Sequence, residues 1–380
     1  MVFVGEMILP HKFSKKDYFY RKGGEGMNEF SAGRKAVSFL ILLAGIALLV
    51  GALICDGIAS SGGYDFGGRG AMLVCGILVT IAGIYLFPTL KHHRAIVYGL
   101  FLFPLLFTFL LTVIIPMCFG IAYSFTDWNG IRLTKVVGFN NYIAMFRRPE
   151  FLWSIIVTFL FVLLNVILVN VIGFLLALLC TTKIKALGFF RASYFLPNLI
   201  GGIVLGYVWK FIFNKVLTQI MNTETSMLTS SGTALIAIVV VYIWQYGGYI
   251  MLIYITGLTG VPADTLEAAS IDGANAWQTL TKIKIPMIAP TITICTFLTL
   301  TSAFKQFDVN LALTNGSGSV NFFGNYITNG SEMLALNIYH TAFTENNYAL
   351  SQAESVLFFI ILAIVSIIQV RTSNKKEVSL

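Results

Sequence analysis

The sequence predicts an all-α integral membrane protein with about eight transmembrane helices, and three observations carry that reading. Hydrophobic residues make up 57% of the 380 positions and charged residues only 11%, against roughly 25% charged in a soluble domain. Several apolar runs exceed the roughly 20 residues that cross ~30 Å of hydrocarbon. Their hydrophobicity is continuous and does not alternate with a polar lumen face, which selects helices over a closed barrel, the other fold that satisfies every backbone group in lipid. An ordinary soluble enzyme is excluded.

Residues 1–36 are polar and basic ("HKFSKKDYFYRKGGEG") and are followed by an apolar run too long for a cleavable signal. Two spans, about 37–56 and 71–90, occupy the region 37–94. Six more follow at about 95–125, 153–181, 190–213, 234–257, 287–311 and 354–371, before a short tail at 372–380. The third span contains Pro104 and Pro116, tolerated as kinks where neighbours satisfy the freed carbonyls. Span five is the least regular, since "FLPNLIGGIVLGYVW" places a proline and two adjacent glycines in its first half. Broken helices at membrane depth are where transporters meet their cargo. The five cysteines, Cys55, Cys75, Cys118, Cys180 and Cys295, sit in apolar runs without CxxC spacing and read as buried small residues.

The net charge of +8 has a local explanation. With both termini in the cytoplasm, the cytoplasmic side holds Lys12, Lys15, Lys16, Arg21, Lys22, Arg34, Lys35, Lys91, Arg94, Lys183, Lys185, Arg191, Lys282, Lys284, Arg371, Lys375 and Lys376. The outer side holds Arg69, Arg132, Lys135, Arg147, Arg148, Lys210 and Lys215. This is the positive-inside bias, and it accounts for the basic balance without nucleic acid. The longest outer loop, about 314–352, carries Leu334, Leu336, Ile338, Tyr339 and Phe343. A helix lying along the membrane surface and a cap over a cavity are both open readings.

Chemistry of its own is not written into the chain. No G-x-x-x-x-G-K-[ST] phosphate cradle occurs, and His11, His92, His93 and His340 are not spaced as metal ligands. No nucleophile, base and acid grouping appears. The sequence predicts no catalytic residue, no metal and no bound cofactor.

The polar stretch at 258–286, "LTGVPADTLEAASIDGANAWQTLTKIKIP", lies between two long apolar runs and falls in the cytoplasm by the charge count. Pro262 favours a helix from about Ala263, because its missing N–H costs little at a helix start. Gly273 permits a sharp turn, and a second helix runs from Ala276 to Ile283. Leu266, Ile271, Trp277 and Leu280 form an apolar ridge that so short a unit cannot bury, and Ala268 and Ala269 give a face for close backbone approach. A docking element for a soluble partner is one reading, an ordinary surface or re-entrant loop the other.

Glu267-Ala268-Ala269, three residues, Gly273, nine residues, then Ile283-x-Ile285-Pro286 resembles the EAA signature of membrane subunits of binding-protein-dependent ABC importers, with Ile285 where that pattern has Leu. Asp272-Gly273-Ala274 is similar to its carbohydrate branch, as are "RASYFLPNLIGGIVLGYVWKFIFN" (191–214) and "AFKQFDVNLALTNGSG" (303–318), the last with Gly-Ser-Gly for Gly-Gly-Pro. Maltose-type first permeases, with two spans added to a six-span core, are nearest in layout. That core would cover 95–371. The segment 126–152 leaves no room for the large external domain of some enteric maltose permeases.

The resemblance implies a sugar permease subunit of a bacterial inner membrane importer, not an enzyme. Glu267, Ala268, Ala269, Asp272, Gly273, Ile283, Ile285 and Pro286 would couple it to ATPase subunits, which hold the ATP and Mg. It also implies a second permease, an extracytoplasmic sugar-binding protein, and a cavity lined by Asn198, Tyr242, Gln245, Tyr246, Thr299 and Gln306. Lys305 and Asp308 would mark the outer water boundary or pair within the protein. Maltodextrin-like oligosaccharides are the expected cargo. A self-sufficient secondary transporter or channel, and an ABC permease for a non-sugar solute, are the alternatives.

Overall fold

The computed structural model describes residues 32–60, 68–86, 93–133, 135–182 and 187–377. The predicted segment 1–36 therefore lies almost wholly outside the described residues, as does the end of the predicted tail. Two compact units divide the chain, Met1–Pro116 and Met117–Leu380.

In the first unit α1 (Ala32–Ser60) and α2 (Arg69–Leu86) pack along one another, with Ser38 Oγ donating to the Leu86 carbonyl at 2.9 Å. Next come α3 (His93–Phe109) and α4 (Ile115–Tyr123), joined by a π turn at Leu110–Ile114. The Ile115 N–H reaches back five residues to the Leu110 carbonyl. This change of winding, between Pro104 and Pro116, stands where the prolines predict an irregularity.

The second unit continues with α5 (Asn140–Phe146) and α6 (Pro149–Cys180), whose first position is the proline that suits a helix start. Helix α7 (Leu187–Phe195) runs through a 3-10 turn (Leu196–Leu199) towards α8 (Gly202–Phe211), and a π turn leads on to α9 (Thr218–Met221). Ile200 and Gly201 leave the helical region, with ψ of 128° and 138°, so span five is broken and its halves meet at 99°. Helix α10 (Ser231–Thr259) is the centre of the core. Its Gly248 touches the Tyr194 backbone so closely that a Cβ would collide with the Tyr194 carbonyl. Helices α11 (Ala263–Ile271), α12 (Ala276–Gln278) and α13 (Ile285–Met287) form the polar loop. The segment from Ala276 to Met287 meets α14 (Ala289–Phe304) at 70°.

The described residues hold five helices long and apolar enough to cross a membrane, Val37–Asp56, Phe101–Tyr123, Pro149–Cys180, Ser231–Thr259 and Tyr348–Thr372, or up to seven if each bent pair is one span. The second predicted span, 71–90, is the shorter apolar helix Gly70–Leu86. Span seven was expected to run to 311. Its helix closes at Phe304, and the chain turns through Asn310–Thr314 instead.

Beyond Thr314 come an antiparallel hairpin of β1 (Val320–Phe322) and β2 (Asn325–Ile327), then α15 (Leu334–Tyr339) and α16 (Tyr348–Glu377). The two turn residues Phe323 and Gly324 have φ of 47° and 81°, the mirror-image geometry of tight hairpins. The helix of this segment does not lie along a surface with its apolar face outward. Leu334 and Leu336 are buried, and Leu334 packs with Met145, Phe151, Leu350 and Ala353. The Leu334 N–H donates to Thr158 Oγ1 at 2.8 Å, Trp153 Nε1 donates to the Gly330 carbonyl at 2.9 Å, and Arg148 pairs with Glu345. Backbone groups freed by the irregular chain are thus satisfied by α6, and the segment sits as a cap on the end of the bundle where α6, α10 and α16 begin. The cysteines also divide: Cys180 and Cys295 are buried as predicted, Cys55 is half-buried, and Cys75 and Cys118 stand exposed. Continuous apolarity hides which face of a helix looks outward, and that is the reason for the difference.

Candidate solute cavity and docking loop

A cavity of about 340 Å³ opens where the break in span five, the middle of α10 and the end of α14 converge. Gly202 comes from the break, Gln245 and Tyr246 from α10, and Ser302, Lys305, Gln306 and Asp308 from the end of α14 and the turn after it. Gln245 is 6% exposed and its Nε2 donates to the Ile200 carbonyl at 3.4 Å, satisfying an oxygen that the helix break frees. Tyr246 stacks on Tyr242 with ring centroids 4.3 Å apart, and Tyr242 meets the edge of Phe161 at 5.2 Å. Gln306 is also 6% exposed, but its Nε2 is buried without a hydrogen-bond partner. Leaving such a donor unpaired costs about 1–3 kcal/mol. The wall therefore presents an aromatic face beside an amide that lacks an acceptor.

Of the six residues expected here, Gln245, Tyr246 and Gln306 line the cavity. Tyr242 is fully buried behind Tyr246. Asn198 sits half-buried in the 3-10 turn just before the break. Thr299 is buried in a polar link instead: it donates to the Cys295 carbonyl at 2.9 Å and accepts from Asn170 Nδ2 at 3.3 Å, while Tyr254 OH donates to Asn170 Oδ1 at 2.9 Å. That link joins α6, α10 and α14. Lys305 and Asp308, expected at the water boundary, are exposed in the cavity wall, and Ser302 was missed. The spacing of Ser302 and Gln306, one helical turn apart, was the available signal.

At the other end of the bundle α11 ends in a complete glycine cap. Gly273 has φ +74°. Its N–H donates to the Ser270 carbonyl at 3.2 Å, and the Ala274 N–H to the Ala269 carbonyl at 2.9 Å, the paired bonds of a Schellman motif. Asn275 then opens the next helix with a capping box. Its side chain accepts from the Gln278 N–H at 2.8 Å, and the Gln278 side chain accepts from the Asn275 N–H at 2.9 Å. These bonds fix the turn between the two helices, and Leu266 packs against the main core. The predicted apolar ridge splits in two. Leu266 and Leu280 turn inward and are half-buried, whereas Ile271 is 86% and Trp277 71% exposed. Ala269 is buried, Glu267, Ala268, Asp272 and Pro286 are exposed, and Ile283 and Ile285 are half-buried. Among the described residues no group of three His, Cys, Asp or Glu is placed to hold a metal ion.

Residues 170–376, which contain both features, match the family described as binding-protein-dependent transport system inner membrane component. The chain belongs to this family. The permease is 41% identical over 288 residues to the probable starch degradation products transport system permease protein AmyD of Thermoanaerobacterium thermosulfurigenes, covering 74% of this chain and 96% of that one. It is 33% identical over 270 residues to the multiple sugar-binding transport system permease protein MsmF of Streptococcus mutans, covering 69% and 90%. Its fold is shared with a chain of a bacterial ABC transporter involved in the import of the acidic polysaccharide alginate, at a TM-score of 0.64 and 19% identity over 75% of this chain and 97% of that one. This permease is therefore a multi-pass membrane transport component of an ABC importer and not an enzyme.

Proposed function

We propose that the permease carries neutral oligosaccharides of maltodextrin type inward, driven by a separate ATPase that holds the ATP and Mg. A second permease subunit completes the pathway, and an extracytoplasmic binding protein delivers the sugar. The distribution of Lys and Arg supports an orientation with both termini in the cytoplasm. The names of AmyD and MsmF support the cargo class. So does the cavity, since a sugar offers hydroxyls to Gln245 and Gln306 and a flat apolar face to Tyr246.

The observation that carries the coupling reading is the exposed pair Ile271 and Trp277 on the rigid two-helix loop. Large apolar side chains held out by a complete cap await a protein surface. Glu267 stands beside them as a polar contact, and Ile283, Ile285 and Pro286 connect the loop to α14, so ATPase closure moves the cavity wall. Rocking of rigid helices then alternates the cavity between the two sides. On the cap, Phe323 (89% exposed) and Tyr326 (67%) give aromatic surface for the binding protein.

Co-expression with neighbouring subunits tests this. An ATPase is expected to co-elute with the wild-type chain and to be lost, with uptake, in Glu267→Lys. If that variant changes neither, the loop does not couple. Uptake competition with a panel of sugars assigns the cargo, and full activity in a Tyr242→Ala, Gln306→Ala double variant would remove the cavity from the pathway.

A further inference from the structure

A second depression, of about 480 Å³, lies on the opposite side of α10 from Gln245 and is almost wholly apolar. Ile172 and Leu176 of α6 form one wall, Tyr194 and Pro197 of span five the other, and Trp244 and Gly247 of α10 the floor. Trp244, at 45% exposure, and neighbouring Leu175 and Leu179, at 57% and 51%, show that this face looks outward from the unit.

The trough has one polar end. Ile172, Leu176 and Cys180 follow one another at four-residue spacing and so lie on one stripe of α6. At the end of that stripe Arg191 Nη2 donates to the Cys180 carbonyl at 2.8 Å. Arg191 is also one turn before Tyr194 on α7, so its bond to Cys180 ties together, just beyond the trough, the two segments that form its walls. Its Nε is buried and has no hydrogen-bond partner, although an arginine carries five donors and a permanent charge. From Ile172 to Cys180 the helix rises about 12 Å, close to half of the ~30 Å hydrocarbon layer.

We infer that this trough holds an acyl chain of an anionic phospholipid from the leaflet on the Arg191 side, with the lipid phosphate on the Arg191 guanidinium. A phosphate offers only acceptors and matches the terminal nitrogens of the guanidinium fork, which Arg191, only half-buried, can still present. The apolar stripe continuing from that fork is where the attached chain must lie.

The test uses the assembled transporter in phosphatidylcholine nanodiscs containing phosphatidylglycerol with a photoactivatable acyl chain. Label is expected on the segments containing Ile172 to Leu176 and Val240 to Gly248, with unlabelled phosphatidylglycerol competing and added phosphatidylcholine not. Arg191→Gln should lower that labelling about tenfold, the scale of a lost charge-assisted hydrogen bond. Arg191→Lys, which keeps the charge, should retain most of it, separating phosphate binding from the bond to Cys180. Gly247→Leu fills the trough, since a Cβ there meets only Ile172 Cγ2, at 4.0 Å, and should abolish the labelling. The inference fails if phosphatidylcholine competes equally, if Arg191→Gln and Gly247→Leu label like wild type, or if the isolated chain is labelled and the assembled transporter is not. That last outcome would mean that another subunit covers the trough.

Discussion

The cavity wall around Gln245, Tyr246 and Gln306 and the helix pair of the docking loop break the usual rule of burial in opposite directions. In the wall two amides are each 6% exposed inside an apolar bundle. In the loop an isoleucine and a tryptophan stand 86% and 71% exposed on a polar one. Isolated exposed apolar residues are common and buried polar ones are usually satisfied. Here the apolar pair is held out by two complete caps, and one of the amides has no partner. Each site is therefore an incomplete interaction, and under the function proposed above the residue out of place awaits a hydroxyl-bearing solute in one and a protein surface in the other.

The sharpest way to break the comparison is to collapse the loop while leaving the wall alone. Gly273→Val puts a β-branched residue at φ +74°, a strain of about 1–3 kcal/mol, and undoes the cap that aims Trp277. ATP-driven uptake in vesicles containing the ATPase should be abolished while the chain still inserts. Normal uptake would show that the geometry of the loop is immaterial. Next in size, Trp277→Asp should weaken ATPase binding about 30-fold, the scale of an aromatic anchor worth about 2 kcal/mol, and leave sugar competition unchanged. An unaltered affinity would reduce Trp277 to an ordinary exposed side chain.

On the other side, Gln306→Ala should lower uptake about tenfold through one or two lost hydrogen bonds to sugar hydroxyls without weakening ATPase binding. If ATPase binding falls and the half-saturating sugar concentration does not move, the two regions are not separable and the comparison fails.

The loop was far more legible in the sequence than the wall. A Pro262 start, the Gly273 turn and an Asn275 cap act through local backbone chemistry, and Ala263–Ile271 forms where those residues dictate. A polar stretch between apolar runs also announces itself. Inside a span, however, every face is apolar, so periodicity does not say which face a glutamine or threonine takes. Three of six expected cavity residues line it for that reason, and Lys305 and Asp308 joined them only when α14 ended at Phe304. The same blindness put Cys75 and Cys118 inside and left the cap at 314–352 undecided, because its order comes from Thr158, Trp153 and Arg148, far away in the chain.

Thr299 sharpens the contrast within the wall itself. It is as buried as Gln306, yet its hydroxyl already has Asn170 and the Cys295 carbonyl. Thr299→Val should therefore destabilise the chain by about 1 kcal/mol, a typical net hydrogen bond, and change the half-saturating sugar concentration less than about twofold. A larger change in apparent affinity at unchanged stability would make Thr299 a sugar ligand after all.

The smallest effect belongs to the cap, where a buried carboxylate is paired with a histidine of the same segment. His340 Nδ1 lies 2.8 Å from Glu332 Oε1, and its Nε2 3.3 Å from Asn315 Oδ1. The hydrogen bond to Glu332 raises the His340 pKa above its ordinary value of 6.5, with burial opposing and the charges of Glu332 and Glu345 assisting. A raised folded value means that the stabilisation is complete below the unfolded pKa of 6.5 and is lost as pH rises through the folded value. Residues 314–352 should accordingly resist proteolysis better at about pH 5 than at about pH 8, the range in which histidine changes charge, once the protease's own pH response is normalised on an unrelated substrate. His340→Gln, which keeps a donor but cannot titrate, should narrow the difference between the two rates. An undiminished difference in that variant would assign the pH response to other groups and leave the cap held by its neutral hydrogen bonds alone.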